Sequence, residues 1–331
     1  MSLLVCALPV LLFLSFLFFM DSFKLVVKQI LLISLLWGIL SAVIAYFFNT
    51  FFMDNSEIGL KTFSRYIAPL IEEFIKSALI LFLVFKKRIG FMIDAAIYGF
   101  AIGAGFSLTE NIFYLNAMES QNIIIWIIRG FGTAFMHGGC TAMFAVIFLG
   151  GKSRSVSTLL TLFIAVLSAY SIHSGFNHFY TNPLFQTIAI ILFMPAIFIG
   201  IFRFNEIQLS KWLEIEFNSE IELLGMIKRG QFLSTKSGQY LESIKSKFTG
   251  LEIFDMHCYL SIYLELSIKA KRNLMLKESG FSIIIENDVK DKLAELRQLR
   301  KQIGKVGEIT LSPLIRMNYR DLWKLNTLTV N

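Results

Sequence analysis

Seven apolar runs, each about as long as a bilayer is thick, follow one another through the first 204 residues: roughly 3–20, 27–50, 63–85, 89–116, 122–149, 157–180 and 184–203. A spanning helix needs about 20 apolar residues, because it must satisfy its own backbone hydrogen bonds across a hydrocarbon layer of about 30 Å. The runs therefore predict an all-α, polytopic membrane helix bundle of about seven spans. Charge confirms where the bundle stops. Of 31 Lys/Arg and 24 Asp/Glu in 331 residues, 35 lie after residue 204, where the apolar runs end. Residues 1–204 are expected to form the transmembrane domain, and residues 205–331 a soluble, mainly helical one. The first run, Leu3 to Met20, has neither a basic leading segment nor a small-residue cleavage site, and is expected to be a retained helix.

The basic residues sort by side. Lys24 and Lys28, then Lys86, Lys87 and Arg88, then Lys152 and Arg154, then Arg203 and Lys211 follow the odd-numbered spans. The opposite side holds Lys61 and Arg65 beside Asp54, Glu57 and Glu119. Positively charged loops stay in the cytoplasm, so the N-terminus is expected outside and the C-terminal domain inside a cell membrane. The net charge of +7 needs no nucleic-acid partner, since such loops account for a surplus of this kind. Cys6, Cys140 and Cys258 are too far apart for a paired-cysteine metal motif or a disulfide framework.

Against this background the ionisable residues inside the spans stand out. Placing a charge at mid-membrane is costly, and such residues mark function unless they are paired. The third span holds Glu72-Glu73-Phe74-Ile75-Lys76, the fourth Glu110-Asn111, the fifth Met136-His137-Gly138-Gly139 and the sixth His173-Ser174-Gly175-Phe176-Asn177-His178. At 1.5 Å per residue, Glu73 lies about 15 Å from the outer end of its span, and Glu110, His137 and His173 fall between mid-membrane and the outer third. Antiparallel neighbours could bring all four into one layer. Lys76 stands at i+4 from Glu72 and i+3 from Glu73, so it can neutralise one of them along its own helix, with Glu72 the expected partner. More carboxylates than cations in an apolar setting imply raised pKa values, a bound metal or a water-filled cavity. Gly99 and Gly103 are read as a close-packing face. Asp94 and Arg129 lie near span ends and are read as solvated or structural, and His178 as reaching the outer interface.

These segments in this order resemble the PrsW family of intramembrane proteases, distant relatives of the CAAX prenyl endopeptidases. The likeness is carried by Glu72-Glu73 with Lys76, by Glu110-Asn111, by His137 and by His173 with Asn177, over residues 60–180. It implies hydrolysis of a single-span, membrane-anchored regulatory protein, such as an anti-sigma factor. Glu72, Glu73, Glu110, His137 and His173 would be catalytic, with Glu73 or Glu110 as general base and the histidines as oxyanion donors or ligands. Lys76, Asn111 and Asn177 would orient them. Zinc on Glu110, His137 and His173 is one possibility, and a metal-free glutamate mechanism, as in the CAAX relatives, is the other. A transporter or channel would use the same groups as a proton or cation path, although no internal repeat is visible. An inactive membrane scaffold is the third reading, against which the intact motifs argue.

The C-terminal residues repeat apolar side chains at helical spacing, in Ile221-Leu223-Leu224-Ile227 and in Phe254, Tyr259, Leu260, Tyr263, Leu264 and Ile268. Gly230, Gly250 and Gly280 punctuate about three helices. Residues 290–301 form a basic amphipathic segment that could lie on anionic lipid but is expected to pack within its own domain.

Overall fold

The computed structural model describes residues 2–21, 23–117, 122–283, 286–315, 323–325 and 328. Glu119, one of the charges used above to assign sides, lies outside the described residues. All regular structure among the described residues is helical. The chain divides into two compact units, Met1–Asn205 and Glu206–Asn331.

Seven helical segments occupy the seven predicted runs. They are α1 (Ser2–Phe19), α2 (Lys28–Asp54), α3 (Ala68–Phe85), α4 (Met92–Ala117), α5 (Ile123–Ser153), α6 (Thr158–Asn177) and α7 (Pro183–Lys228). α3 is entered through the single turn Leu60–Thr62 and a π-helical turn, Phe63–Ile67; α5 contains a second π-helical turn, Ile128–Thr133. α2, α4, α5, α6 and α7 are each long and apolar enough to cross a membrane. α1 is a shorter apolar helix, and α3 carries Glu72, Glu73 and Lys76 within its 18 residues. The first unit has its large apolar side chains on the outside: Leu32, Leu36, Phe47, Phe74, Phe82, Leu159, Phe163, Phe185 and Phe193 are all exposed. Water would not tolerate such a surface, whereas lipid tails solvate it.

α4 is the axis of this unit. Every residue from Ile93 to Ser107 is buried, and the helix packs on α1, α2, α3 and α5. Two close approaches explain its glycines. A Cβ on Gly103 would sit 2.2 Å from the His137 carbonyl oxygen of α5. On the α2 side, a Cβ on Gly105 would sit 2.1 Å from the Leu35 oxygen. Backbone therefore meets backbone on two faces of α4, as small residues allow in membrane bundles. Glu110 lies two turns beyond Gly103 on the same face, so this contact brings it level with His137. Asp94 is buried rather than solvated: its carboxylate accepts from the Gly90, Phe91 and Ala95 backbone N–H groups and closes the start of α4.

In the second unit, α7 runs on to Lys228 and is followed by α8 (Lys236–Ile244), α9 (Gly250–Glu278) and α10 (Val289–Leu311). Thr249 and Glu252 form a reciprocal capping box that starts α9. Gly230 and Gly280, both at positive φ, follow the ends of α7 and α9. The basic segment packs within this unit. Leu293, Leu296, Leu299 and Ile303 of α10 recur every three to four residues and join Tyr259, Leu260, Tyr263 and Leu264 of α9 in one core. Each such side chain contributes about 1.5–3 kcal/mol by leaving water.

Candidate active site

Five helices deliver polar side chains to one end of the first unit, where α2, α4 and α6 finish and α3 and α5 begin. Glu72, Glu73 and Lys76 come from α3, Glu110 and Asn111 from α4, Arg129 and His137 from α5, His173 from α6 and Asn49 from α2. The four segments singled out in the sequence thus converge in space.

Lys76 is wholly buried and sits 2.5 Å from Glu73 Oε1 and 3.1 Å from His137 Nδ1. Its partner is therefore the i+3 carboxylate, not Glu72 as the sequence had suggested. His137 on the neighbouring helix explains the choice, since an ammonium placed between Glu73 and His137 serves both. Glu73 Oε1 also meets His173 Nδ1 at 2.8 Å. His137 Nε2 lies 3.1 Å from Glu110 Oε2, and Arg129 Nη2 lies 3.3 Å from that same oxygen. Glu72 Oε2 is 3.8 Å from His173 Nε2, and its Oε1 accepts from Asn49 Nδ2 at 3.1 Å. The imidazoles of His137 and His173 meet edge to face, 4.7 Å apart.

This network fixes the protons. A lysine ammonium can only donate, so His137 Nδ1 accepts and its Nε2 carries the hydrogen given to Glu110. The Glu73 carboxylate accepts from His173 Nδ1–H, so Nε2 is the ring nitrogen turned towards Glu72.

A cavity of about 610 Å³ opens on this network, lined among others by Glu72, Glu110, Arg129, His137, His173 and Asn49. Phe63, Phe106, Phe113, Tyr114 and Phe176 supply apolar walls. Glu73 and Lys76 lie behind that surface, with Glu73 only 2% exposed, whereas the Glu110 side chain is 27% exposed. Among the described residues, Glu72, His137 and His173 are the three side chains whose ligating atoms fall within 4.8 Å of one another. Glu110, the carboxylate that the sequence had grouped with these histidines as a metal set, is placed instead on His137 Nε2 and Arg129.

Asn111 Oδ1 accepts from Arg129 Nε at 2.8 Å, so it acts on Glu110 through the arginine. Asn177 reaches the cavity wall but donates to the Ser64 carbonyl in the π-helical turn before α3. It fastens α6 to α3 rather than orienting a carboxylate or imidazole. His178 caps α6, with Nδ1 2.6 Å from the Ser174 carbonyl oxygen, and packs against Tyr66 and Tyr180. Two residues of the site were not legible as such. Asn49 is an uncharged side chain near the end of a long apolar run, and Arg129 lies close enough to a span end to suggest snorkelling. A polar residue one or two turns inside a span boundary is the signal that both shared.

An apolar-surfaced helix bundle that gathers carboxylates and imidazoles at one cavity defines a multi-pass membrane protein. Residues 27–201 match the PrsW family of intramembrane metalloproteases, and the chain belongs to that family. No curated protein and no solved structure matches the chain.

Proposed function

We propose that the cavity hydrolyses peptide bonds of a single-span, membrane-anchored regulatory protein of the anti-sigma-factor kind, with the C-terminal unit on the cytoplasmic side. The observation that carries this reading is the convergence of Glu72, Glu110, His137 and His173 on one cavity inside an otherwise apolar bundle.

The family implies a metal, and the donor set fits one. Two imidazoles and a carboxylate, all within ligating range of each other, match an open catalytic zinc set. Glu73 behind His173 reproduces the carboxylate support that orients metal-binding histidines. Glu72, His137 and His173 would hold the ion. A bound zinc ion would lower the pKa of water and polarise the peptide carbonyl.

The chain's own groups divide the remaining work. Glu110 is the cavity-facing carboxylate outside the ligand set; it takes the proton of the attacking water and returns it to the leaving amine. Glu73 fixes the tautomer of His173, and Lys76 neutralises Glu73, so this half of the network stays in place through the reaction. Asn49 orients Glu72. The apolar walls exclude bulk water and hold the substrate's apolar side chains.

The test is cleavage of a panel of single-span substrates by purified protein in proteoliposomes, with metal analysis of the same samples. Glu72→Gln, Glu110→Gln and His173→Ala should each lower the rate by at least about 100-fold, the contribution of one positioned acid–base group. Metal should be lost from the first and third variants and kept by Glu110→Gln. Cleavage that survives all three replacements would overturn the assignment. Full activity in metal-free protein would leave the carboxylates alone to activate water.

A further inference from the structure

We propose that Arg129 is a positioning residue of this site, holding the Glu110 carboxylate on His137 so that its second oxygen faces the cavity. The inference rests on the protease reading above and adds to it a residue outside the motif positions that carried the resemblance.

The geometry begins with the π-helical turn Ile128–Thr133. From there Arg129, Thr133 and His137 follow at i, i+4 and i+8 and line the cavity wall together. The guanidinium is then fixed on three sides by one helix. Nε donates to Asn111 Oδ1 at 2.8 Å, the plane lies over the Tyr114 ring at 3.6 Å, and Nη2 stands 3.3 Å from Glu110 Oε2. Glu110, Asn111 and Tyr114 stand at i, i+1 and i+4 of α4, so the arginine reads a single face of that helix. Arginine suits the place, because its planar fork stays charged and can stack and hydrogen-bond at once.

Charge balance gives the contact its consequence. The site holds three carboxylates and two permanent cations, and each cation has a carboxylate of its own: Lys76 sits on Glu73, and Arg129 on Glu110. Glu72 has only the Asn49 amide and the His173 ring. Glu110 is the most exposed of the three carboxylates. Without Arg129 it would be free to swing away from His137. With Arg129, one oxygen is committed to His137 and the arginine, and the other is presented to water.

The test uses the full-length protein in proteoliposomes, with variants Arg129→Gln, Arg129→Lys and Asn111→Ala. Misplacing a base by about 1 Å costs about 100-fold, so Arg129→Gln should lose that factor in kcat while KM stays within about twofold. Arg129→Lys should recover part of the loss, and Asn111→Ala, which leaves the arginine but removes its brace, should lose less than Arg129→Gln. A second readout does not depend on turnover: in protein labelled with 15N-histidine, the His137 Nε2 signal, assigned with His137→Ala, should move in Arg129→Gln and return towards its position in Arg129→Lys. An unchanged kcat, a loss confined to KM, or an unmoved His137 signal would overturn the role of Arg129 while leaving the protease reading standing. A wild-type protein that cleaves no substrate would overturn the protease reading, and the histidine signal would still decide whether Arg129 holds Glu110 on His137.

Discussion

Each unit of this chain buries a network of charges, and the two networks are built on different arithmetic. In Glu206–Asn331, Lys271 and Lys324 are fully buried, with Lys271 3.2 Å from Glu216 and 3.1 Å from Glu220, and Lys324 3.3 Å from Glu220. Both ammoniums lie over the Trp212 ring, and Ser267 donates to Glu220. Among the described residues, two carboxylates meet two cations there beside aromatic rings, and those four charges cancel. In Met1–Asn205, three carboxylates meet two permanent cations, and the remainder faces a cavity between imidazoles. A balanced network locks helices together; an unbalanced one beside a cavity keeps a group in reserve for a proton or a metal.

The largest effects should separate the two networks by kind. Glu72→Gln in the first unit should lower cleavage by at least about 100-fold, with little change in thermal unfolding, because it removes a charge that no permanent cation balances. Glu220→Gln in the second should cost up to about 3–5 kcal/mol, because it removes the carboxylate that two buried lysines share. Rates measured beside calorimetry on the same preparations check both. If Glu72→Gln were the destabilised variant, the first network would be a structural lock like the second.

Gly103→Ala comes next, and it tests whether the cavity depends on backbone contact. The new Cβ would stand 2.2 Å from the His137 oxygen, so α4 and α5 must part. Overpacking of this kind costs about 1–3 kcal/mol, and cleavage should fall with it, because Glu110 and His137 ride on the two separated helices. Unfolding and rate measured on one sample should change together.

The contrast between the networks also explains what the sequence could disclose. Glu72, Glu73, Lys76, Glu110, His137 and His173 were legible because a charge or imidazole inside an apolar run has no bland explanation in lipid. Which group pairs with which was not. Lys76 could serve Glu72 at i+4 or Glu73 at i+3, and the deciding partner, His137, comes from another helix. That Glu72 lies within ligating range of both histidines was not legible for the same reason: adjacency across helices depends on packing, and packing here turns on Gly103 and on two π-helical turns that helical periodicity does not announce. Asn49 carries no charge to betray it. In the second unit the apolar spacing that predicted α9 and α10 was enough for the core, but Lys271 and Lys324 look like any other solvated lysine in a soluble sequence.

Asn49→Ala should have a smaller effect than any replacement among the carboxylates. It removes one hydrogen bond to the Glu72 carboxylate, worth about 1.5–3 kcal/mol where a charged group is involved. The upper limit corresponds to about 100-fold in rate, and a site that still holds Glu72 through His173 should lose about tenfold. If cleavage by Asn49→Ala matched that of Glu72→Gln, the amide would belong to the reacting groups rather than to their support.

The smallest effect belongs to the rim of the second unit and carries a definite sign. Hydrogen bonds from Lys292 and Lys269 hold the Asp288 carboxyl down to about 2, and bonds from Lys269 and Arg272 also hold Glu286 below its ordinary range. A carboxylate depressed in the folded state adds stability above its unfolded pKa of about 4, and that stability is lost as pH falls towards the folded value. Thermal unfolding of the second unit, followed in the full-length protein, should therefore be flat from neutral pH to about pH 5 and decline between about pH 4 and pH 2. Asp288 is solvent-exposed, so the decline should be small and should shrink further in salt, as screening weakens exposed pairs. Asp288→Asn should flatten part of it. A decline of unchanged size in that variant would move the acid sensitivity from Asp288 to Glu286, the other carboxyl these cations hold down.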